Sequence, residues 1–223
     1  QLLTHEEGEW QLLDAACRIT ISRFYRDKHV FDVLGRNVLP QIAMRADKES
    51  RAVRCWCAGC ASGEEVYTLA ILWDNLVAPA FPSVEFQIIG TDAHPVMIER
   101  ANKACFSPGS IKEVPVEWHA AAFEKWNGQY CVAAKYRKHV TILNQDIREE
   151  MPGGPFDLIL CRNVVLTYFS RPMQAAIFEG IVVRLAMGGY LVIGAHEALP
   201  DDTTGLKASA DCREILRLTN GGA

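Results

Sequence analysis

The stretch RAVRCWCAGCASGEEVYTLAILWDNLV, Arg51 to Val77, sets the frame for the rest of the chain. It opens as a short apolar strand, with Val53, Cys55 and Cys57 on one face and Trp56 on the other. A loop of small residues follows, Ala58-Gly59-Cys60-Ala61-Ser62-Gly63. Apolar positions at Val66, Leu69, Ala70, Trp73, Leu76 and Val77 then recur at helical spacing. Strand, glycine-bearing turn and helix N-terminus together make a nucleotide-type site at the carboxyl edge of a parallel sheet.

A pyrophosphate cradle needs close glycines, backbone N–H groups and no anion nearby. Here Gly63 is followed by Glu64 and Glu65. Carboxylates at a helix N-terminus are stabilised by its dipole, yet they repel a phosphate. They suit a ligand with a cationic end, and S-adenosylmethionine, with its ammonium, sulfonium and adenosine, is one. The plainer alternative is that both glutamates only complement the helix dipole.

Outward from this unit, Val84–Thr91 reads as a second strand ending at Asp92. That carboxylate either accepts ribose hydroxyls or caps a helix over 94–104. Upstream, residues 5–17 read as a helix. A second is expected over 28–46, with Phe31, Leu34, Val38, Ile42 and Met44 inward and a kink or break at Pro40. Between Cys105 and Arg137 the alternation of strand and helix pauses. A helix over 115–126 and a hairpin around Asn127-Gly128 are expected there, with Gln129–Val132 as a strand and 135–139 leading into the next one. The alternation resumes with Val140–Leu143, then Phe156–Cys161, an apolar run of the buried parallel kind. A helix opened by Ser170-Arg171-Pro172, a strand over 190–195 tipped by His196-Glu197, and a last strand over 214–218 complete the pattern.

The totals are those of a globular α/β chain. At 223 residues it can bury roughly 70% of its unfolded surface without metal or disulfide staples. A net charge of −4 lacks the basic footprint of a general nucleic-acid binder, so no nucleic-acid partner is expected. No apolar run reaches the ~20 residues of a membrane span, and QLLTHEEGEW has no signal-peptide pattern. Several of the eight cysteines, Cys55, Cys131 and Cys161 among them, lie in strand-like runs, which favours a reduced, cytoplasmic protein. Cys55, Cys57 and Cys60 lack a fourth ligand at zinc-site spacing, so no metal is expected there.

With these strand ends in line, the chain resembles the CheR-type chemotaxis receptor methyltransferases, which methylate glutamate side chains with S-adenosylmethionine. The stretches that carry the likeness are Thr20-Ile-Ser-Arg-Phe-Tyr-Arg-Asp27, Gly59-Cys-Ala-Ser-Gly-Glu-Glu65 with Tyr67, and Gly90-Thr-Asp92. Phe156-Asp-Leu-Ile-Leu-Cys-Arg-Asn163 with Tyr168-Phe169, and Gly194-Ala-His-Glu197, complete the set. The resemblance implies a Rossmann-like methyltransferase sheet with helices on both faces. It also implies a short helical N-terminal segment (1–47), a methyltransferase domain (48–223) and an inserted helix and β-hairpin subdomain at about 106–139.

It further implies that Thr20, Ser22 and Arg26 lie against the methionine end of the cofactor, facing Glu64. Gly59 is the loop glycine, Asp92 takes the ribose, Asp146 and Ile147 flank the adenine, and Arg162 and Asn163 form the floor near the methyl group. Methyl transfer to a carboxylate needs alignment more than a base, since glutamate is ionised at neutral pH. A guanidinium suits that acceptor, which points to Arg162, assisted by Arg26 and Tyr168. A chemoreceptor-like acidic protein is the implied partner.

Three departures from the family pattern stand out. Arg-Asn-Val-Val-Leu-Thr-Tyr-Phe carries one residue more than usual, so either Thr167 or Tyr168 fills the tyrosine position. His196 stands where the family has a small residue, as a base or a hydrogen-bonded structural group. The segment ahead of the core is short and mostly acidic, which leaves the acceptor open. The alternatives are the same fold acting on a small molecule or another side chain, or a cofactor-binding module without catalysis.

Overall fold

The structure is a computed structural model and describes residues 22–199 and 205–219. Seven strands form one sheet in the order β6-β2-β1-β7-β8-β10-β9. They are β1 (Val53–Ala58), β2 (Phe86–Asp92), β6 (Val140–Asn144), β7 (Phe156–Cys161), β8 (Leu185–Val192), β9 (Leu206–Ala208) and β10 (Ile215–Leu218). The first five strands in this order are parallel, and β10 runs antiparallel to both its neighbours. A second sheet, β3-β5-β4, is built from β3 (Cys105–Phe106), β4 (Phe123–Trp126) and β5 (Gln129–Val132).

Alternation along β1 loads two separate cores. Val53, Cys55 and Cys57 join Leu158 and Leu160 of β7 on one face, while Trp56 and Ala58 join Ile159 and Cys161 on the other. Side chains alternate along a strand, so one strand can anchor two layers. On the first face lie the helices α1 (Lys28–Val33), α2 (Leu39–Lys48) and α3 (Glu64–Leu72). On the second lies a helix from Arg171 to Arg184, which buries Ile177, Phe178 and Ile181. The expected arrangement, an open sheet with helices on both faces, is the one observed.

The helix α3 is buried nearly all round, from Val66 to Leu72, because it sits between the sheet and the α1–α2 layer. Each fully buried large apolar side chain there contributes roughly 1.5–3 kcal/mol. A five-residue π-type turn, Trp73–Val77, extends it, and Trp73 stacks on Phe86 with centroids 4.2 Å apart. Leu76, expected inward, is 42% exposed, since the widened turn rotates it off the apolar stripe.

Other details differ from expectation. The helix over 28–46 is two helices joined by a π-type turn at Leu34–Val38, and Pro40 enters the first turn of α2, where its missing N–H costs little. Met44 faces outward. The helix expected over 115–126 stops at Ala122, because Phe123–Trp126 pairs with Gln129–Val132 as the first arm of the hairpin. Residues Ala134–Arg137 form a helical turn rather than leading straight into β6. Strand β8 starts at Leu185, five residues before the expected 190, and ends at Val192. The helix expected over 5–17 lies outside the described residues.

The cysteine expectation is corrected. Cys105 and Cys131 face each other across β3 and β5, and they are joined by a disulfide. Their 26-residue separation hides the pair from any local pattern. Cys55, Cys57, Cys60, Cys161 and Cys212 are free and buried.

At the edge of the sheet where the parallel strands begin, Asp157 is buried in the start of β7. Its carboxylate accepts hydrogen bonds from Arg45 Nη2 at 2.7 Å, Arg51 Nη1 and Nη2 at 2.8 and 2.9 Å, and the Arg54 backbone N–H at 3.1 Å. A buried carboxylate is tolerated here because cations and donors surround it. Among the described residues, no helix is long and apolar enough to cross a membrane.

Candidate active site

Strand order reverses between β1 and β7, so the chain leaves these neighbours toward opposite edges. The loops after them diverge and open a crevice above the carboxyl ends. Gly59 sits in the β1 loop with φ +71°, and a Cβ there would lie 2.4 Å from Val164 Cγ2 in the β7 loop. Glycine therefore permits both the left-handed turn and the close approach of the two loops. Cys60 N–H donates to the Thr91 carbonyl at 2.8 Å, tying the loop to the end of β2.

Carboxylates gather on the β1–β2–β6 side. Glu64 opens α3 after Gly63, is 2% exposed, and accepts from the Ser62 hydroxyl at 2.8 Å. Asp92 accepts from Ala61 N–H through one oxygen and from His94 N–H through the other, both at 2.9 Å. Its side chain thus braces the glycine loop, while helix Pro95–Lys103 starts at His94 with no side-chain cap bond. Each Asp92 oxygen retains a lone pair for a further donor. Beyond β6, Asp146 accepts from Arg148 through its backbone N–H at 2.9 Å and its guanidinium. Ile147 beside it is buried, and the buried Gln145 Oε1 has no hydrogen-bond partner.

Arg162, at the end of β7, is only 3% exposed along its side chain. Its Nη1 donates to Glu65 at 2.9 Å, and its Nη2 to Asp27 at 2.5 Å and to the Arg26 carbonyl at 3.1 Å. The guanidinium also lies 5.2 Å from the centre of the Phe31 ring, and its Nε is buried without a partner. Arg162 thus fastens the turn that carries Arg26 onto the sheet. That turn is strained, with Tyr25 at φ 57° and Asp27 at φ 61°. Burial pushes the Glu65 carboxyl above its usual range, and Arg162 and, more weakly, Arg26 pull it back.

On the β7–β8 side, Glu197 organises the wall. Its Oε2 accepts from Gly194 N–H at 2.7 Å and Asn163 N–H at 3.0 Å, and its Oε1 accepts from the Thr167 hydroxyl at 2.9 Å. A Cβ on Gly194 would meet Asn163 Nδ2 at 2.7 Å, so glycine lets these two loops touch.

The loops and the helix start at these strand ends carry Gly59, Glu64, Asp92, Arg162 and Asn163, with Asp146 and Ile147 just past β6. Ser22 and Arg26 are half-buried, while Thr20 lies outside the described residues. Thr167, not Tyr168, turns toward Glu197, and Tyr168 is 65% exposed at the rim. His196 is exposed. Two expectations change. Glu65, for which the sequence offers no partner beyond the helix dipole, is an ion-pair partner of Arg162. Arg162 itself spends both terminal nitrogens on Glu65, Asp27 and the Arg26 carbonyl rather than offering an unpaired fork. Asp27 and Glu65 meet Arg162 across 135 and 97 residues, and Glu197 reaches Asn163 and Thr167 across 34 and 30, so no local spacing reveals these contacts; only the Glu197 bond to Gly194 is local.

The residues present fit a nucleoside with a cationic tail. Backbone-braced Asp92 has acceptor capacity left, Glu64 offers a buried anion at the loop, and no lysine or arginine of this loop makes a phosphate cradle. The CheR methyltransferase, SAM binding domain, family matches residues 20–214.

The chain belongs to the CheR family.

It carries an S-adenosylmethionine-binding methyltransferase domain. The chemotaxis protein methyltransferase of Listeria monocytogenes is 30% identical over 203 residues, covering 89% of this chain and 74% of that protein. An uncharacterized 104.1 kDa protein from the hypE 3′ region of Rhodobacter capsulatus is 30% identical over 97% of this chain, which spans 23% of that protein. Among solved structures, the N-methyltransferase NodS of Bradyrhizobium japonicum WM9, in complex with S-adenosyl-L-homocysteine, matches at 19% identity and a TM-score of 0.39. That match covers 79% of this CheR-family chain and 64% of NodS.

Proposed function

We propose that this CheR-family domain transfers a methyl group from S-adenosylmethionine to carboxylate side chains of a chemoreceptor-type protein. The observation that carries the proposal is the meeting of the carboxylate-lined crevice with the arginine-bearing turn at the switch point. When bound there, S-adenosylmethionine supplies a methyl group activated by its sulfonium. Glu64 holds the cationic tail, Asp92 accepts from the ribose hydroxyls, and Asp146 with Ile147 borders the base. Asn163 and Gly59 form the floor, and Ser22 lines the turn side.

An ionised glutamate is already nucleophilic, so the chain's task is to hold it in line. Arg26, on the rim turn, orients the acceptor carboxylate, a role a guanidinium fork suits. Arg162 acts one step back, as a positioning residue that fixes the Arg26 turn through Asp27 and the Arg26 carbonyl. Tyr168, exposed at the rim, contacts the incoming protein. A cytoplasmic location accompanies this function.

The test is transfer of labelled methyl from S-adenosylmethionine to purified receptor fragments. Label released by mild base as methanol is expected, together with cofactor binding by calorimetry. Label stable to base, or confined to small molecules, overturns the carboxylate acceptor.

A further inference from the structure

Among the described residues, one group of His, Cys, Asp and Glu side chains brings three ligand atoms close enough to share an ion: His29, Cys212 and Glu214. They come from α1 and from the turn leading into β10, well separated in sequence. Cys212 and Glu214 are buried, and His29 faces solvent with 57% of its side chain exposed. Cys212 Sγ lies 3.1 Å from Glu214 Oε2, His29 Nε2 lies 3.5 Å from the same oxygen, and all three ligand atoms fall within 4.8 Å of one another.

We propose that these three side chains form a zinc-type divalent metal site that clips α1 to the end of the sheet. Bond lengths of about 2.0–2.3 Å in a tetrahedral zinc site put donor atoms roughly 3.3–3.7 Å apart, close to the 3.1 and 3.5 Å that separate Glu214 Oε2 from the other two donors. The donor set is one imidazole nitrogen, one sulfur and one carboxylate oxygen, which favours zinc-type ions over magnesium or calcium. The exposed side at His29 leaves a fourth position to water.

The surroundings hold the donors in place. Arg213 Nε donates to the other Glu214 oxygen at 3.1 Å, and its Nη2 donates to the Ala195 carbonyl at 2.9 Å. This aims Oε2 at the cluster, as outer partners of metal ligands do. Asn37 Nδ2 donates to Asp211 at 3.0 Å, a second tie between the first helical layer and the same turn. On binding, the Cys212 thiol gives its proton to solvent and the sulfur bonds the ion, replacing its hydrogen bond to Glu214. No oxidation state changes.

The site stands two residues from Asp27, the partner of Arg162, so an ion there would stiffen the turn that carries Arg26. The cluster lies outside the crevice, and its existence does not depend on the acceptor proposed above.

The experiment uses the purified chain, freed of metal by a chelator, titrated with Co2+ and then Zn2+. One equivalent of Co2+ is expected to give a near-ultraviolet sulfur-to-cobalt charge-transfer band that Zn2+ displaces, and Zn2+ is expected to raise the melting temperature. His29→Gln, at an exposed position, and Cys212→Ser are each expected to lose the band and the thermal shift. Absence of a band in the unsubstituted chain overturns the proposal. A band that persists in His29→Gln overturns it as well, whatever Cys212→Ser does to folding.

Discussion

Arg162 and Glu65 meet at the switch point of the sheet, with Nη1 2.9 Å from the carboxylate and the arginine side chain 3% exposed. The contact joins the end of β7 to the first turn of α3, and through Asp27 it reaches the strained turn at Tyr25–Asp27. Arg162→Met leaves two carboxylates facing a buried gap, so a loss of about 3–5 kcal/mol in urea unfolding is expected. Combined with Glu65→Gln, the loss should fall short of the sum of the two single variants, with a coupling of about 0.5–3 kcal/mol.

The same pair gives a pH signature. Burial holds the Glu65 carboxyl above its ordinary value of 4.5 despite Arg162. The folded state therefore keeps this proton to higher pH than the unfolded state does. Its stabilising contribution is fully present below pH 4.5 and is lost as pH rises through the folded value. Arg162→Met removes the opposing cation and raises the carboxyl further. Unfolding free energies measured across pH 4 to 8 should then decline over a wider span in Arg162→Met than in the parent, and the extra decline should vanish with Glu65→Gln.

Gly59→Ala should damage the crevice through both conformation and contact. The positive φ and the 2.4 Å approach to Val164 Cγ2 predict a stability loss of about 1–3 kcal/mol and weaker cofactor binding by calorimetry. Adding Val164→Ala removes the clashing methyl but not the backbone strain, so partial recovery is expected. Full recovery would show that φ at residue 59 is of no consequence.

Glu197 offers a graded test. Ala at this position removes the acceptor of all three donors, so Glu197→Ala should cost about 1–3 kcal/mol and lower transfer as the 163 and 194 loops separate. Thr167→Ala removes one of the three bonds and should have the smaller effect on both measures. Equal effects would mean that the two backbone bonds do not matter.

Asp157→Ala is expected to destabilise the chain by about 3–5 kcal/mol, because Arg45 and Arg51 lose a shared buried anion. Cofactor affinity at 25 °C should stay within about two-fold for the folded fraction, since the substitution lies at the far edge of the sheet from the crevice. Chemical denaturation together with calorimetry checks both.

Much of this arrangement could be read along the chain because its determinants are local. Alternation at Val53, Cys55, Trp56 and Cys57 fixed which side chains enter which layer, and Gly59 and Gly63 marked the loop. Asp92 announced a strand end. What stayed hidden was long in range. Glu65 and Arg162 are 97 residues apart, and Cys105 meets Cys131 only because β3 pairs with β5. Phe123–Trp126 follows an alanine-rich helical run, and its pairing with β5 overrides the helical continuation. In the candidate site, carboxylates at strand ends were visible from position alone, whereas the positioning role proposed for Arg162 rests on the distant partners its guanidinium meets.

Strand β7 carries Asp157 near its first residue and leads into Arg162 just past its last, a span of five residues or ~17 Å of extended chain. Substitutions at two places that far apart combine nearly additively. The lower end can therefore drift toward greater or lesser heat tolerance, by adding or removing arginines around Asp157, without retuning the chemistry above it. A lineage carrying this strand can adapt to a new temperature and to a new methyl acceptor as two separate evolutionary problems.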